Sequence, residues 1–407
     1  MKKLLVGTAA IALVLAMSAP ANAAADANGV KLSVGGYFKG YVAWVDQDED
    51  TTVTTSVRDF DILRDTQVHL TGETTLDNGL TVGFHTEALA DGSGTGLAND
   101  SFDVKESYAY FSGAWGRFNF GAEDGAAYLL QVAAPSADAN VDGLRQYVQP
   151  VNYAATIAGV NAGVLLGAWP VGAAGTGDGF DYDQDNSGFN DKITYLSPVF
   201  QGFQAGVSYT PDVSTGAGAG VHGLNGVVLD NVADTFGDAW DVALRYEGQF
   251  DQVGVTLGAG YTDVELQNDD NGGVPDGTND DDRQSWNGGV NFKWGAFNLG
   301  GAYMNDDNGF QLDNDTDTWV VGLDYTTGPF KLGASYFDVS QEADGWAGAV
   351  NSGDIDTHRW TGGVVYTYGP GMTFRGSLSY IDHNFDAQLA EQDTNATSLL
   401  VGTQINF

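Results

Sequence analysis

The stretch that most constrains the fold is the end of the chain, Ala396-Thr-Ser-Leu-Leu-Val-Gly-Thr-Gln-Ile-Asn-Phe407. Leu399, Val401, Ile405 and Phe407 share one face at period two, with Thr403 among them. Ser398, Gly402, Gln404 and Asn406 share the other, and Leu400 breaks the pattern. Period two means a β-strand with one apolar and one polar face. In a soluble sandwich such a final strand would be an exposed, aggregation-prone edge. In a closed barrel it pairs with the first strand and no edge remains. The sandwich is the competing expectation.

Hydropathy does not separate these two, because alternating residues average out. The mean hydropathy is −0.17. No apolar run long enough for a membrane helix follows the first 25 or so residues, which excludes a helical membrane protein. A transmembrane barrel is compatible with it. The absence of Cys suits a protein that crosses an oxidising periplasm without disulfides. The first residues read as a signal peptide, 1–23: Lys2 and Lys3, the apolar run Leu4–Met17, then Ala21-Asn22-Ala23 as a small-x-small cleavage site. That leaves 24–407 as the mature barrel, with 14 basic against 54 acidic residues and a net charge of 14 − 54 = −40. So acidic a chain excludes nucleic acid as a partner and attracts cations at its surface.

The chain then repeats a rhythm of strand, short turn, strand and long polar loop. In the first strand, about Val30–Val45, Val30, Leu32, Val34, Phe38, Val42 and Trp44 form the lipid-facing set. Lys31, Ser33, Tyr37, Lys39 and Tyr41 face water. A hairpin turns at Leu76-Asp-Asn-Gly79; Asn-Gly is a strong hairpin signal. Later hairpins turn at Thr327-Gly-Pro329 and Gly369-Pro-Gly371, while Gln267–Arg283 and Asp306–Asp317 are long acidic loops. Trp240, Trp286, Trp319 and Trp360 open strands after long loops; Phe250, Trp294, Phe330 and Tyr368 sit beside short turns. Two aromatic bands at opposite strand ends are the girdles of a membrane barrel. The count gives an all-β, transmembrane antiparallel β-barrel of 16 strands. Val151–Trp169 could add a hairpin, so 18 strands is the alternative.

One stretch breaks the rhythm. Gly121–Pro150 is too long for a turn and too apolar for an ordinary surface loop. Long loops of this kind are usually functional. The expectation is that 122–150 folds into the lumen and narrows it; packing on the outer surface or on another subunit is the bland alternative.

Arg117-Phe-Asn-Phe-Gly121, the long third loop, the strand–turn Tyr195–Phe203 and the terminal Phe together resemble the general porins of Gram-negative bacteria, particularly the alphaproteobacterial kind. The resemblance implies an outer-membrane homotrimer of sixteen-stranded barrels. It implies a third loop folded inward as an eyelet and passive diffusion of small hydrophilic solutes and ions. Acidic groups on that loop would face basic groups on the wall. Here the loop offers Glu123, Asp124, Asp138 and Asp142 with Arg145 as an internal cation; the wall offers Lys39, His69, His85 and Arg117. Arg375 and Lys331 face inward but lie far along the chain. With the acidic balance, this implies a mild cation preference. A substrate-selective porin for sugars or small anionic nutrients is the alternative. Its mark would be a ladder of lumenal aromatics, whereas the inward faces read mostly as Gly, Ser, Thr and Asn, with Tyr37 and Tyr41 as exceptions.

No cofactor is expected. Asp181-Tyr-Asp-Gln-Asp185 and Asp313-Asn-Asp-Thr-Asp317 alternate carboxylates like the start of a calcium loop. The first lacks Gly at position 6 and has Lys192 where a bidentate Glu belongs. Both read as solvated loop charge, with weak Ca2+ bridging to lipopolysaccharide as the alternative. An enzyme is not expected. Ser379 and His383 are four residues apart on one strand, about 13 Å, too far for a nucleophile–base hydrogen bond.

Overall fold

The structure is a computed structural model and describes residues 29–48, 56–90, 103–151, 181–213, 227, 235–267, 281–309, 315–342, 353–387 and 390–407. The proposed leader and the Val151–Trp169 hairpin beyond residue 151 lie outside the described residues, as do most of the long acidic loops.

Sixteen strands form one closed antiparallel barrel in which each pairs with its neighbours in sequence. They are β1 (Lys31–Gln47), β2 (Phe60–Thr75), β3 (Thr81–Leu89), β4 (Asp103–Gly113), β5 (Gly116–Ala122), β6 (Asp191–Leu196), β7 (Phe203–Thr210) and β8 (Phe236–Phe250). The second half has β9 (Val253–Leu266), β10 (Arg283–Trp294), β11 (Phe297–Asp306), β12 (Thr316–Thr327), β13 (Phe330–Glu342), β14 (Gly353–Gly369), β15 (Met372–Ala387) and β16 (Ala390–Asn406). A four-residue helix, α1 (Ala126–Leu129), follows β5. The eighteen-strand alternative is excluded, because β5 hydrogen-bonds directly to β6 and leaves no place between them. The last three strands are longer than the alternation suggests, since their polar ends carry no apolar period.

β1 and β16 close the barrel, with Trp44 opposite Leu399 and Phe38 opposite Ile405. Phe407 and Gly36 exchange backbone hydrogen bonds at 3.0 and 3.1 Å, so the terminal residue is tied into the seam. At the β2–β3 turn Gly79 adopts φ +82°, the left-handed geometry that Asn-Gly turns need.

Burial is inverted relative to a soluble protein. On β12, Trp319, Val321 and Leu323 are about half exposed while Thr318 and Val320 between them are buried. The apolar surface therefore points outward, as in a barrel set in lipid. Its rims are aromatic. On the long-loop side Trp286 and Trp319 both pack on Tyr303, at 4.7 and 4.3 Å between ring centroids. On the short-turn side Phe297 packs on Tyr325 and Phe330 on Tyr366. Among the described residues no helix is long and apolar enough to cross a membrane.

Candidate functional site

The chain leaves β5 at Ala122 and enters 123–150, whose contacts are with inward-facing wall residues. The route is set by missing side chains. A Cβ on Gly206 of β7 would meet the Ala126 Cβ at 3.1 Å, and one on Gly260 of β9 would meet the Ala127 Cβ at 3.2 Å. A Cβ on Gly289 of β10 would meet the Val132 Cβ at 2.9 Å. On Gly322 of β12 it would meet the Pro135 carbonyl carbon at 3.0 Å, and on Gly333 of β13 the Ala137 Cα at 2.9 Å. The loop thus passes the strands in chain order, lying where the wall has no side chains. Polar bonds follow the same path. Ser208 Oγ accepts from the Ala126 N–H at 2.8 Å. Arg245 donates to the Gln131 carbonyl at 3.0 Å, and Asn291 to the Ala133 carbonyl at 2.9 Å.

Past Ala137 the loop meets charge. Asp138 accepts from the Tyr41 hydroxyl at 2.7 Å and pairs with Arg375. Asp142 pairs with Arg359 at 2.7 Å, both nearly inaccessible. Val141 and Val148 then pack on Tyr41, Ala43, Val45 and Leu400. Leu400, the one break in the terminal alternation, is therefore the apolar patch on which the loop lands.

Arg145 ties the loop's end to its beginning. Its guanidinium contacts Asp124 at 3.1 Å, Asp183 at 2.7 Å and Asp185 at 3.0 Å, and lies over the Tyr128 ring at 4.5 Å. Burial works against its charge, but these carboxylates more than offset that and hold its pKa well above the ordinary value. The calcium-like run Asp181–Asp185 is thus not solvated loop charge: Asp181 is buried and the other two grip Arg145. Burial, reinforced by the neighbouring carboxylates, pushes Asp185 well above the usual range despite Arg145. Residues 181–190 form a second inward segment. Gln184 bonds to Gln131, Thr262 and Ser285, while the Tyr182 hydroxyl accepts from the Ala134 N–H at 2.9 Å.

The remaining sequence-predicted residues sit on the opposite arc or at the loop's root. Lys39 lies 3.6 Å from Asp65 and between the Tyr37 and Tyr147 rings. His69 and His85 flank Glu87 at 3.3 and 2.9 Å. Arg117 donates to Asn119 at 2.6 Å, and Asn119 donates to Glu123 at 2.8 Å. Burial pushes the Glu123 carboxyl up to about 7. Sequence alone does not single out Arg359, Lys192 or Glu87, and gives no reason to bring Arg375 to the loop. Lys192 is buried and donates to the carbonyls of Glu123 and Gly188. The inward face is also more aromatic than expected. Tyr147, Tyr37, His69, His85 and Tyr108 form a row of ring contacts at 6.1, 5.8, 5.6 and 5.5 Å.

A family model described as Gram-negative porin matches residues 8–386. The chain belongs to the Gram-negative porin family. The porin's fold is similar to that of the anion-selective porin from Comamonas acidovorans, with a TM-score of 0.59 at 18% identity, covering 93% of this chain and 100% of that one. It is similar also to OmpT of Vibrio cholerae, an outer-membrane protein, with a TM-score of 0.54 at 14% identity over 94% of this chain and 99% of that one. A search of curated protein sequences returns no match. The porin is an outer-membrane channel.

Proposed function

We propose that this porin passes small hydrophilic solutes and ions by passive diffusion, and that 122–150 sets the narrowest point with a mild preference for cations. The observation that carries this is the loop's course along the inner wall, pinned by Asp138–Arg375 and Asp142–Arg359. Residues 122–150 and 181–190 together hold seven carboxylates and one cation, Arg145. Wall cations neutralise several of these carboxylates, so the preference is mild. The Comamonas porin is anion-selective, which makes the sign of selectivity the decisive measurement. In planar bilayers under a salt gradient, the reversal potential should have the cation sign and weaken as salt rises, because outer-loop charge is screened beyond ~8 Å at physiological salt. An anion-signed potential at all salt concentrations refutes the preference.

The row of inward rings favours a second reading, a substrate-selective porin for sugars or small anionic nutrients. Under it, one solute would block the ion current saturably while others of its size would not. In both readings the protein is a channel, not an enzyme. It works as a homotrimer in outer-membrane lipid and lipopolysaccharide, and cross-linking in mild detergent that traps monomers alone overturns the trimer.

A further inference from the structure

The arc of wall across from the loop's glycine path carries a cluster that diffusion does not need. His69 on β2 stands directly opposite Glu87 on β3, and Thr71 directly opposite His85. All four therefore project from the same inward face. The donor atoms of His69, His85 and Glu87 lie within 4.8 Å of one another. One Glu87 oxygen, Oε1, is 2.9 Å from His85 Nε2 and 3.3 Å from His69 Nδ1.

We propose that His69, His85 and Glu87 form a lumenal binding site for a divalent transition-metal cation of the zinc class, and that occupancy lowers the ion current. Four features carry this. The donor set is two imidazoles and a carboxylate, which suits zinc, nickel or copper and not calcium or magnesium, whose ligands are oxygens. The two Glu87–imidazole separations lie near the ~3.3 Å edge of a tetrahedron with ligands at ~2.0–2.1 Å, so small side-chain rotations seat the ion. Orientation is already fixed on one ring: the Thr71 hydroxyl is 2.9 Å from His85 Nδ1 and leaves Nε2 aimed at the cluster. The other ring can adapt, since His69 Nε2 has no hydrogen-bond partner and the ring can turn without breaking a second bond. Three protein ligands leave a fourth position for water or a passing anion, so the ion exchanges. The surrounding charge is mixed, with Asp65 and Glu106 against Lys39 and Arg145. Tyr37, in edge-to-face contact with both His69 and Tyr147, places the site beside the end of the loop, where a held cation would obstruct and repel others.

The test uses the purified, folded porin in detergent and in bilayers. Calorimetric titration with zinc chloride should show one saturable site per chain that excess calcium and magnesium chloride do not displace. His85→Asn and Glu87→Gln should abolish it, and Thr71→Val should weaken it about tenfold. In bilayers, zinc should reduce the wild-type current reversibly, a chelator should restore it, and each variant compared with its own zinc-free current should lose the effect. Zinc binding that calcium displaces, or that survives both His85→Asn and Glu87→Gln, would place the ion on the acidic loops and overturn the site. If His85→Asn does not assemble, Thr71→Val, which keeps all three ligands, still decides. A channel that conducts normally and binds no zinc refutes this site and leaves the proposed function intact.

Discussion

The inner wall has two unlike arcs. From β7 to β13 it is stripped along the loop's path: Gly206, Gly260, Gly289, Gly322 and Gly333 present backbone, and the loop's small residues lie on it. From β1 to β5 it is crowded with long polar and aromatic side chains: Lys39, His69, His85, Tyr108, Tyr110 and Arg117. Both arcs are antiparallel strands with apolar outer faces. The difference shows how one barrel can be a packing surface on one side and a chemical surface on the other. Glycine is normally a poor strand residue. Here its cost is offset by the loop that covers it.

The largest break in the comparison would come from removing the covering. Deleting Tyr128–Asp142 should raise single-channel conductance severalfold; unchanged conductance would transfer the constriction to 181–190. A sharper test fills the stripped arc. Gly322→Val pushes against the Pro135 backbone and should cost about 1–3 kcal/mol of unfolding free energy by overpacking. Gly288→Val, where an added Cβ meets nothing within 4 Å, should stay within about 0.5 kcal/mol. Denaturant titrations of the two variants give the contrast directly, and equal losses would mean that the loop does not rest on the glycines.

Comparable in size is the pair that ends the stripped path. Asp142→Asn leaves Arg359 buried without its partner. It should cost about 3 kcal/mol and move the reversal potential toward anions. The smallest effect is a titration. Glu123 is neutral well below pH 7 and charged well above it, since burial raises its folded pKa to about 7. Cation preference should therefore fall as pH drops through 7, and Glu123→Gln should flatten that step. For stability the sign is opposite. The native state holds this proton more tightly than the unfolded chain, so stability declines as pH rises from about 4.5 to 7. A reversal potential that is flat across this window would remove Glu123 from the ion path.

Sequence revealed the barrel because each strand states its faces locally, residue by residue. The loop was visible for the same local reason, its length and apolar content. Its partners were not. Asp142 finds Arg359 across 217 positions and Asp138 finds Arg375 across 237, and no spacing rule reaches that far. Asp183 and Asp185 read as solvent-exposed because nothing nearby in sequence is basic except Lys192; their cation is Arg145. Two local signals do carry information about the lumen. Leu400 broke a clean alternation because it packs on the loop. His85 and Glu87, two apart on one strand, had to share a face.

The seam between β1 and β16 joins Trp44 to Leu399, residues separated by 355 positions. Those bonds form only after β16 has been made, so no fragment that stops short of β16 can satisfy β1. Until the final strand arrives, the sheet has two open edges, each a template for a wrong partner. Assembly is therefore a timing problem as much as an energetic one. The nascent sheet must be held apart from its neighbours until β16 is available, and a chain lacking that strand would remain permanently adhesive.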